Sequence, residues 1–387
     1  MGKGDEFDGL GVLDVAFPLA DVRSILRETG RTSQRVRKLP AATMVYYSIA
    51  LGLMCAVGAR QVLRHLMDHL REDGPVSGPL ASESAITQAR QRLGVEPLKR
   101  LFERLVQPVA EKWLKSAWYR QWLLVTMDGT TMRTLDTDAN ERRFGKPTSN
   151  RGKAAYPQIR LVGLLENGTR VMFAMAKGAY RESEKVLARS IVGRLKRGML
   201  CLADRGFFGY ELWNQAVATK ADLLWRVEKR IKITDAVRLP DGSYRGLLRK
   251  DAIQREVRII QFTATFKSGK VTHYRLITTL TDYHQAPAAE LAQLYVKRWT
   301  IETMLEELKV RIGGPKLLLR SATPDLVEQD VYGLLLAHFG VRHEMLGAAR
   351  EQDADPSEFS FANALHVIIR RLPEMVSFSP SAEAALP

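Results

Sequence analysis

Hydrophobic positions recur at helical spacing over residues 20–118 and at strand spacing from residue 121 onward. In the first region, "LPAATMVYYSIALGLMCAVGA" (39–59) runs without a charge and predicts a buried helix. Its Pro, Thr, Ser, Tyr and Gly content, with no second such run in the chain, argues against a membrane span. "ARQVLRHLMDHL" follows as an amphipathic helix. After the polar stretch "REDGPVSGPLASES", the run "AITQARQRLGVEPLKRLFERLVQPVAEKWL" predicts further helices, with Ser82 or Ser84 as a cap and Gly94 as a stop. Residues 82–106 fit either a helix–turn–helix DNA reader or ordinary short helices joined at a glycine.

"QWLLVTMDGTTMR", "YPQIRLVGLLE" and "RVMFAMAKGAY" predict three successive strands joined by turns. "SEKVLARSIVGRLKRG" predicts a helix capped by Ser183 and stopped at Gly198. "MLCLADRGF" is a mostly apolar fourth strand suited to a sheet interior. The helix "YELWNQAVATK" and a fifth strand, "DLLWRVEK", complete the series. Turn signals at 240–242 and 267–270, between alternating segments, predict a β insertion near 230–278. A helix then begins near Pro287 and stops at Gly313-Gly314, and "DLVEQDVYGLLLAHFGVRHEML" forms a second long helix. Three strands, a helix, a strand, a helix and a strand is the order of the ribonuclease-H-like fold. The expected class is therefore α/β: a ribonuclease-H-like catalytic core with a β-strand insertion, preceded by an all-helical N-terminal domain. The expected divisions are 1–118 for the helical domain, 119–348 for the core and 349–387 for a C-terminal segment whose end, "PSAEAALP", is expected to be disordered.

The first of the two long helices carries an unusual polar pattern. In "YVKRWTIETMLEELK" (295–309), Tyr295, Arg298, Glu302 and Lys309 are spaced 3, 4 and 7 apart. At about 100° per residue they share an arc of about 60°. Leu294, Ile301, Leu305, Leu308 and Ile312 form an apolar stripe beside that arc rather than opposite it. This suits a half-buried site in which a carboxylate is flanked by cations and a phenol.

Charge narrows the partner. The chain of 387 residues has a net charge of +15, unevenly spread. Residues 151–250 hold 21 Lys/Arg against 9 Asp/Glu, a surplus of 12, while residues 301–387 hold 8 against 13, a deficit of 5. A basic middle of this kind points to a polyanion, most simply nucleic acid, over a merely soluble basic surface. Two cysteines in apolar surroundings, Cys55 and Cys201, suggest a reducing compartment. The acidic start "MGKGDEFDGLGVLDVAF" lacks the order of a signal peptide, so a cytoplasmic location is expected.

Three acids occupy telling places. Asp128 stands where the first strand is expected to end, in "VTMDGTT", before a sharp turn. Asp204 ends the fourth strand, in "LCLADRGFFG". Glu302 projects from the signature helix. Strands one and four are neighbours in the expected fold, so the two aspartates would lie side by side. Each alone reads as ordinary turn chemistry, but together with Glu302 they form a set of hard oxygen donors. Close carboxylates repel, and divalent cations relieve that repulsion.

Aspartate, aspartate and glutamate in this order, within "MDGT" and "ADRGF", resemble the DDE transposases. Tyr295, Arg298, Glu302 and Lys309 match the Y-(2)-R-(3)-E-(6)-K signature of the bacterial insertion sequence 4 family residue for residue. The resemblance spans roughly 120–345, and the helical N-terminal region is similar to that family's N-terminal domain. It implies that Asp128, Asp204 and Glu302 hold two Mg²⁺, with Mn²⁺ able to substitute, and that the enzyme cuts element ends and joins the 3′-OH to a target. It further implies that Tyr295, Arg298 and Lys309 grip phosphates, with double-stranded DNA as partner and a homodimer in the synaptic complex. The cationic loop "ERRFGKPTSNRGKAAYP", with Arg151 and Lys153, would track the DNA backbone. Relatives stack a flipped base on an insertion-domain tryptophan; this insertion has none, so no stacking residue is assigned.

Other patterns carry less. His65 and His69 are spaced i, i+4, but Leu66 stands where a zinc protease needs glutamate. No G-x-x-x-x-G-K-[ST] loop is present, so ATP is not implied. Glu306, one turn beyond Glu302, is a rival third acid that the signature spacing disfavours. Competing functions are a structure-selective nuclease of the same fold and a domesticated DNA-binding protein.

Overall fold

The structure is a computed structural model that describes residues 12–34, 39–72, 80–150, 152–250, 253–265, 269, 271–297, 305, 307–308 and 317–372. The chain forms two compact units. One comprises Met1–Gln107, Met132–Ile159 and Glu306–Pro387, and the other comprises Pro108–Thr131 and Arg160–Leu305.

In the first unit the N-terminal helices are α1 (Val12–Ala16), α2 (Leu19–Glu28), α3 (Ala41–Leu53), α4 (Ala59–Glu72), α5 (Glu83–Leu93) and α6 (Glu96–Leu105). The uncharged run is α3, thirteen residues long and buried on nearly all sides. Among the described residues no helix is long and apolar enough to cross a membrane. Ser82 caps α5 by accepting from Ala85 N at 3.2 Å, and Gly94 ends it at φ +73°, a conformation glycine adopts without a Cβ penalty.

α5 and α6 meet at Gly94-Val95. Arg90 of α5 is buried and donates to Gln329, Ser321, the Leu326 carbonyl and Asp330, so it is spent inside the unit. His65 likewise lies 2.8 Å from the Ile369 carbonyl, a packing contact. α7 (Asp138–Phe144) was expected as part of a loop; Thr137 nucleates it by accepting from Asn140 N.

Two C-terminal helices complete this unit. α11 (Pro324–Glu351) is a 28-residue helix and α12 (Phe361–Arg371) packs against it. α12 was not anticipated, although Ser360 caps it through Asn363 N and its buried face is Phe361, Leu365 and Ile368. α11 crosses α3 where two glycines meet: a Cβ on Gly52 would lie 2.4 Å from Gly333 O, and one on Gly333 2.4 Å from Ser48 O. The tail beyond residue 372 and the Gly313-Gly314 stop lie outside the described residues.

The core strands are β1 (Trp122–Thr134), β2 (Gln158–Glu166), β3 (Met172–Ala179), β4 (Met199–Ala203) and β5 (Asp222–Arg226). The insertion adds β6 (Ile233–Arg238), β7 (Tyr244–Lys250), β8 (Ile253–Thr265) and β9 (Val271–Thr278). Their order across the sheet is β3-β2-β1-β4-β5-β9-β8-β7-β6. The first five follow the ribonuclease-H-like arrangement. The insertion extends the same sheet, because β9 pairs antiparallel with β5 through Leu276↔Arg226, Ile277↔Trp225 and Thr278↔Leu224. Helices α8 (Glu184–Ile191), α9 (Tyr210–Ala218) and α10 (Ala288–Lys297) belong to this second unit. β10 (Leu318–Leu319) runs parallel to the end of β1, at Arg133 and Thr134.

Candidate active site at the ends of adjacent strands

β1 and β4 are parallel and in register from Leu123↔Met199 to Met127↔Ala203. Asp128 and Asp204 are the next residue on each strand. Five consecutive apolar residues bury β4 completely, and the chain then turns through a Phe207 N to Asp204 O bond. This turn exposes Arg205 and Gly206 and sends Phe207 and Phe208 into the core. Asp204 itself is 39 % exposed.

Asp128 differs from expectation in one respect: β1 does not end there but continues to Thr134. Pairing with β4 stops beside Asp128 because β4 stops, so the carboxylate leaves the paired stretch without a turn. Its Oδ1 accepts from Gly129 N at 2.8 Å. A Cβ on Gly129 would stand 2.8 Å from Glu184 Oε1, so this glycine admits the Glu184 carboxylate beside the strand. Glu184 in turn accepts from Arg160 at 3.2 Å.

Among the described residues, Arg226 and Tyr295 lie beside Asp204. Arg226 Nη1 lies 3.6 Å from Asp204 Oδ1, with its guanidinium 4.5 Å above the Tyr274 ring. Tyr295 is completely buried on α10, and its hydroxyl lies 3.2 Å from the Ala203 carbonyl and 3.4 Å from Asp204 Oδ1. The buried face of α10 is Ala288, Leu291 and Tyr295. Tyr295 therefore belongs to the buried face itself, while Leu294 packs half-buried beside it, and Leu305 and Leu308 of the expected stripe are buried. A phenol serves here because its ring fills the core while its oxygen reaches the strand end.

α10 is fixed at its start as well. Asp241, in the β6–β7 turn, accepts from Ala288 N at 2.9 Å, and Tyr119 donates to Glu290 at 2.7 Å. Asp241 is held by the fully buried Arg258, which also donates to the Ala286 carbonyl. Burial raises the Asp241 pKa, but the Ser243 and Ala288 donors and the Arg258 charge outweigh it and keep the carboxyl below its usual range.

Arg298, Glu302, Lys309, the rival Glu306 and Arg151 lie outside the described residues. Lys153 is exposed on the short strand Gly152–Lys153, 3.2 Å from Glu141. Glu307, which the signature pattern passes over, is buried and ion-paired to Arg342 and His338 of α11. Burial pushes its pKa up, but hydrogen bonding from His338 and the Arg342 charge win and bring it down to about 2.

Among the described residues no cluster of three carboxylate, His or Cys side chains could hold a metal. Asp128 and Asp204 nevertheless fit a hard divalent cation: both are carboxylates, both are accessible, and parallel register sets them at neighbouring strand positions.

Residues 8–103 match the family model "Insertion element 4 transposase N-terminal", and residues 123–339 match "Transposase DDE domain". The chain belongs to the insertion element 4 family of DDE transposases. It is 30% identical over 369 residues to "Transposase InsG for insertion sequence element IS4" of Escherichia coli (strain K12), covering 92% of this chain and 81% of that one. "Putative transposase InsZ" of the same organism is 30% identical over 198 residues, covering 51% of this chain and 64% of the other. A solved structure, the cryo-EM piggyBac transposase synaptic complex with hairpin DNA, superposes with a TM-score of 0.48 at 10% identity, over 97% of this chain and 81% of that one. As a DDE transposase the protein is a DNA-cleaving enzyme that depends on divalent metal.

Proposed function

We propose that Asp128, Asp204 and Glu302 are the catalytic carboxylates of a cut-and-paste transposase and that they hold two Mg²⁺ ions, for which Mn²⁺ substitutes. The observation that carries this reading is the parallel β1–β4 register, by which Asp128 on β1 and Asp204 just past the end of β4 follow paired positions. Bound there, the metal would supply an activated oxygen nucleophile and stabilise the leaving oxygen at phosphorus. The chain's own contribution is positional. β4 and β1 fix the carboxylates, Gly129 N donates to Asp128, and Tyr295 backs Asp204 from the core.

Arg298, Lys309, Arg151 and Lys153 are the proposed DNA contacts, Arg298 through its planar two-pronged donor set. The resemblance gives Tyr295 a phosphate contact, whereas its burial favours action through Asp204. The partners would be the element ends and target DNA, bound by a homodimer in the bacterial cytoplasm. The residues up to 118 would recognise the ends, those from 119 to 348 would cut and join, and 349–387 would form a C-terminal segment.

Asp128→Ala, Asp204→Ala and Glu302→Ala should each lower Mg²⁺-dependent cleavage of an element-end duplex by at least about a thousandfold while DNA affinity stays within about threefold. The paired measurement is single-turnover cleavage and filter binding. Near wild-type cleavage by any one of the three would remove that residue from the site.

A further inference from the structure

Beside Asp204 the second unit opens into a cleft of about 1310 Å³. Among the described residues, Arg205, Arg226, Lys229, Arg230 and Arg275 line it, against Asp204 and Glu228 as acids. An open cleft with five cations and two carboxylates favours an anion along its walls. Two of those cations, Lys229 and Arg230, lie on loop 228–232, which links β5 to the insertion.

The shape of that loop is set by Arg275 of β9. Its Nη1 donates to three main-chain carbonyls of the loop: Ile231 at 2.7 Å, Lys229 at 3.0 Å and Glu228 at 3.5 Å. Ile231 N closes a turn onto the Glu228 carbonyl at 3.1 Å, and Val227 N bonds the Arg275 carbonyl at 2.9 Å. With its carbonyls drawn to one guanidinium, the loop leaves the Lys229 and Arg230 side chains in solvent, Arg230 at 81 % exposure. Arg230 is paired with Glu228 at 2.5 Å. An exposed pair of this kind is a weak competitor for a phosphate.

We propose that loop 228–232 is a phosphate-binding wall of the cleft beside Asp204, held in shape by Arg275, and that it grips the backbone of the DNA strand next to the cut. Lys229 and Arg230 bind the phosphates, and Arg275 is a positioning residue that buckles the loop to β9. This rests on Asp204 lying at the site of cleavage. The loop's role is read from binding, which Asp204→Ala leaves intact, so the two readings fail separately.

The experiment compares wild type, the double variant Lys229→Ala/Arg230→Ala, Arg275→Gln and Asp204→Ala as full-length proteins. The probes are a duplex carrying the element's own terminal repeat and an unrelated duplex as target. Affinity is measured across a salt series, followed by single-turnover cleavage and joining. The double variant, changed only at exposed positions, should bind about tenfold more weakly. Its log–log salt slope should be flatter by about 1.8, two contacts at about 0.9 each. Arg275→Gln should reproduce most of this loss although both loop cations remain, with faster amide exchange in 228–232 as the sign of a released loop. A loss in cleavage places the element-end strand in the cleft, and a loss in joining alone places the target strand there. An unchanged slope and affinity in the double variant would overturn the proposal. Wild-type binding by Arg275→Gln, with its loop shown to be released, would overturn the buckle.

Discussion

The hydroxyl of Tyr295 has a single proton and sits between the Ala203 carbonyl and Asp204 Oδ1, at 3.2 and 3.4 Å. Tyr295→Phe keeps the ring in the core and removes the hydroxyl that makes that link. Stability should fall by about 1 kcal/mol, the usual net value of one hydrogen bond. Cleavage per bound complex should slow about tenfold with DNA affinity unchanged, if the residue acts through Asp204. The converse, weaker binding with normal cleavage once bound, would make it a phosphate contact. Single-turnover rates at saturating protein separate the two.

Glu307 tests electrostatics at the same scale. Its carboxyl titrates at about 2 in the folded chain against 4.5 ordinarily. Because the folded value is the lower, the ion cluster contributes fully above about pH 4.5 and fades as pH falls toward 2. Glu307→Gln removes the negative charge that balances the buried Arg342 and should cost about 3–5 kcal/mol at pH 7. In urea unfolding at several pH values, its difference from wild type should shrink below pH 4.5. Glu307 was not legible in the sequence because its partners, His338 and Arg342, lie 31 and 35 residues away and meet it only through folding. The neighbouring positions of Asp128 and Asp204 were legible, since each follows an apolar run suited to a strand in a sheet interior.

At the scale of elements, alternation and caps carried most of the information. Ser82 and Ser183 each accept from a main-chain N–H of the first helical turn, and the β strands start and stop within a few residues of the apolar runs. Two helices escaped the pattern. α7 has seven residues and four charges, so no apolar stripe announces it; only the Thr137 cap does. α12 lies past the long helix in a region with an acidic surplus, and its stripe is short. Tyr295 was set on the polar arc of its helix because it counts as polar by composition, yet it is as fully buried as Leu291. Position 333 exposes a different dependence, on backbone approach. Gly333→Ala would set a methyl 2.4 Å from the Ser48 carbonyl oxygen, a backbone atom that cannot rotate away. α11 and α3 must separate to admit it, at a cost of about 1–3 kcal/mol. Thermal or urea unfolding should show the loss. Wild-type stability would mean that the two helices do not pack this closely in solution.

For the whole molecule, the sequence conveyed the charge but not its disposition. Of the 21 basic residues in 151–250, Arg160 and Arg189 are paired with Glu184 and Glu211, so the count of 21, unlike the net surplus, overstates the cations free to meet DNA. Nor could spacing along the chain show that the N-terminal helices share a compact unit with residues 132–159 and with everything after 306. That association depends on contacts such as α3 with α11, between residues nearly three hundred positions apart. What the pattern did carry was the order of the five core strands, and with it the adjacency of β1 and β4 on which the catalytic proposal rests.

The most direct measurement of that proposal exchanges the ligand chemistry at one strand end. Asp204→Cys replaces a hard carboxylate by a thiolate, which disfavours Mg²⁺ and accepts softer divalent ions. Single-turnover cleavage of an element-end duplex should be abolished in Mg²⁺ and recover, at least tenfold above the Mg²⁺ level, when Mn²⁺ or Zn²⁺ is supplied. Asp204→Ala should recover with neither. Equal activity of the cysteine variant in Mg²⁺ and in the softer metals, or equal rescue of the alanine variant, would contradict direct metal ligation by Asp204.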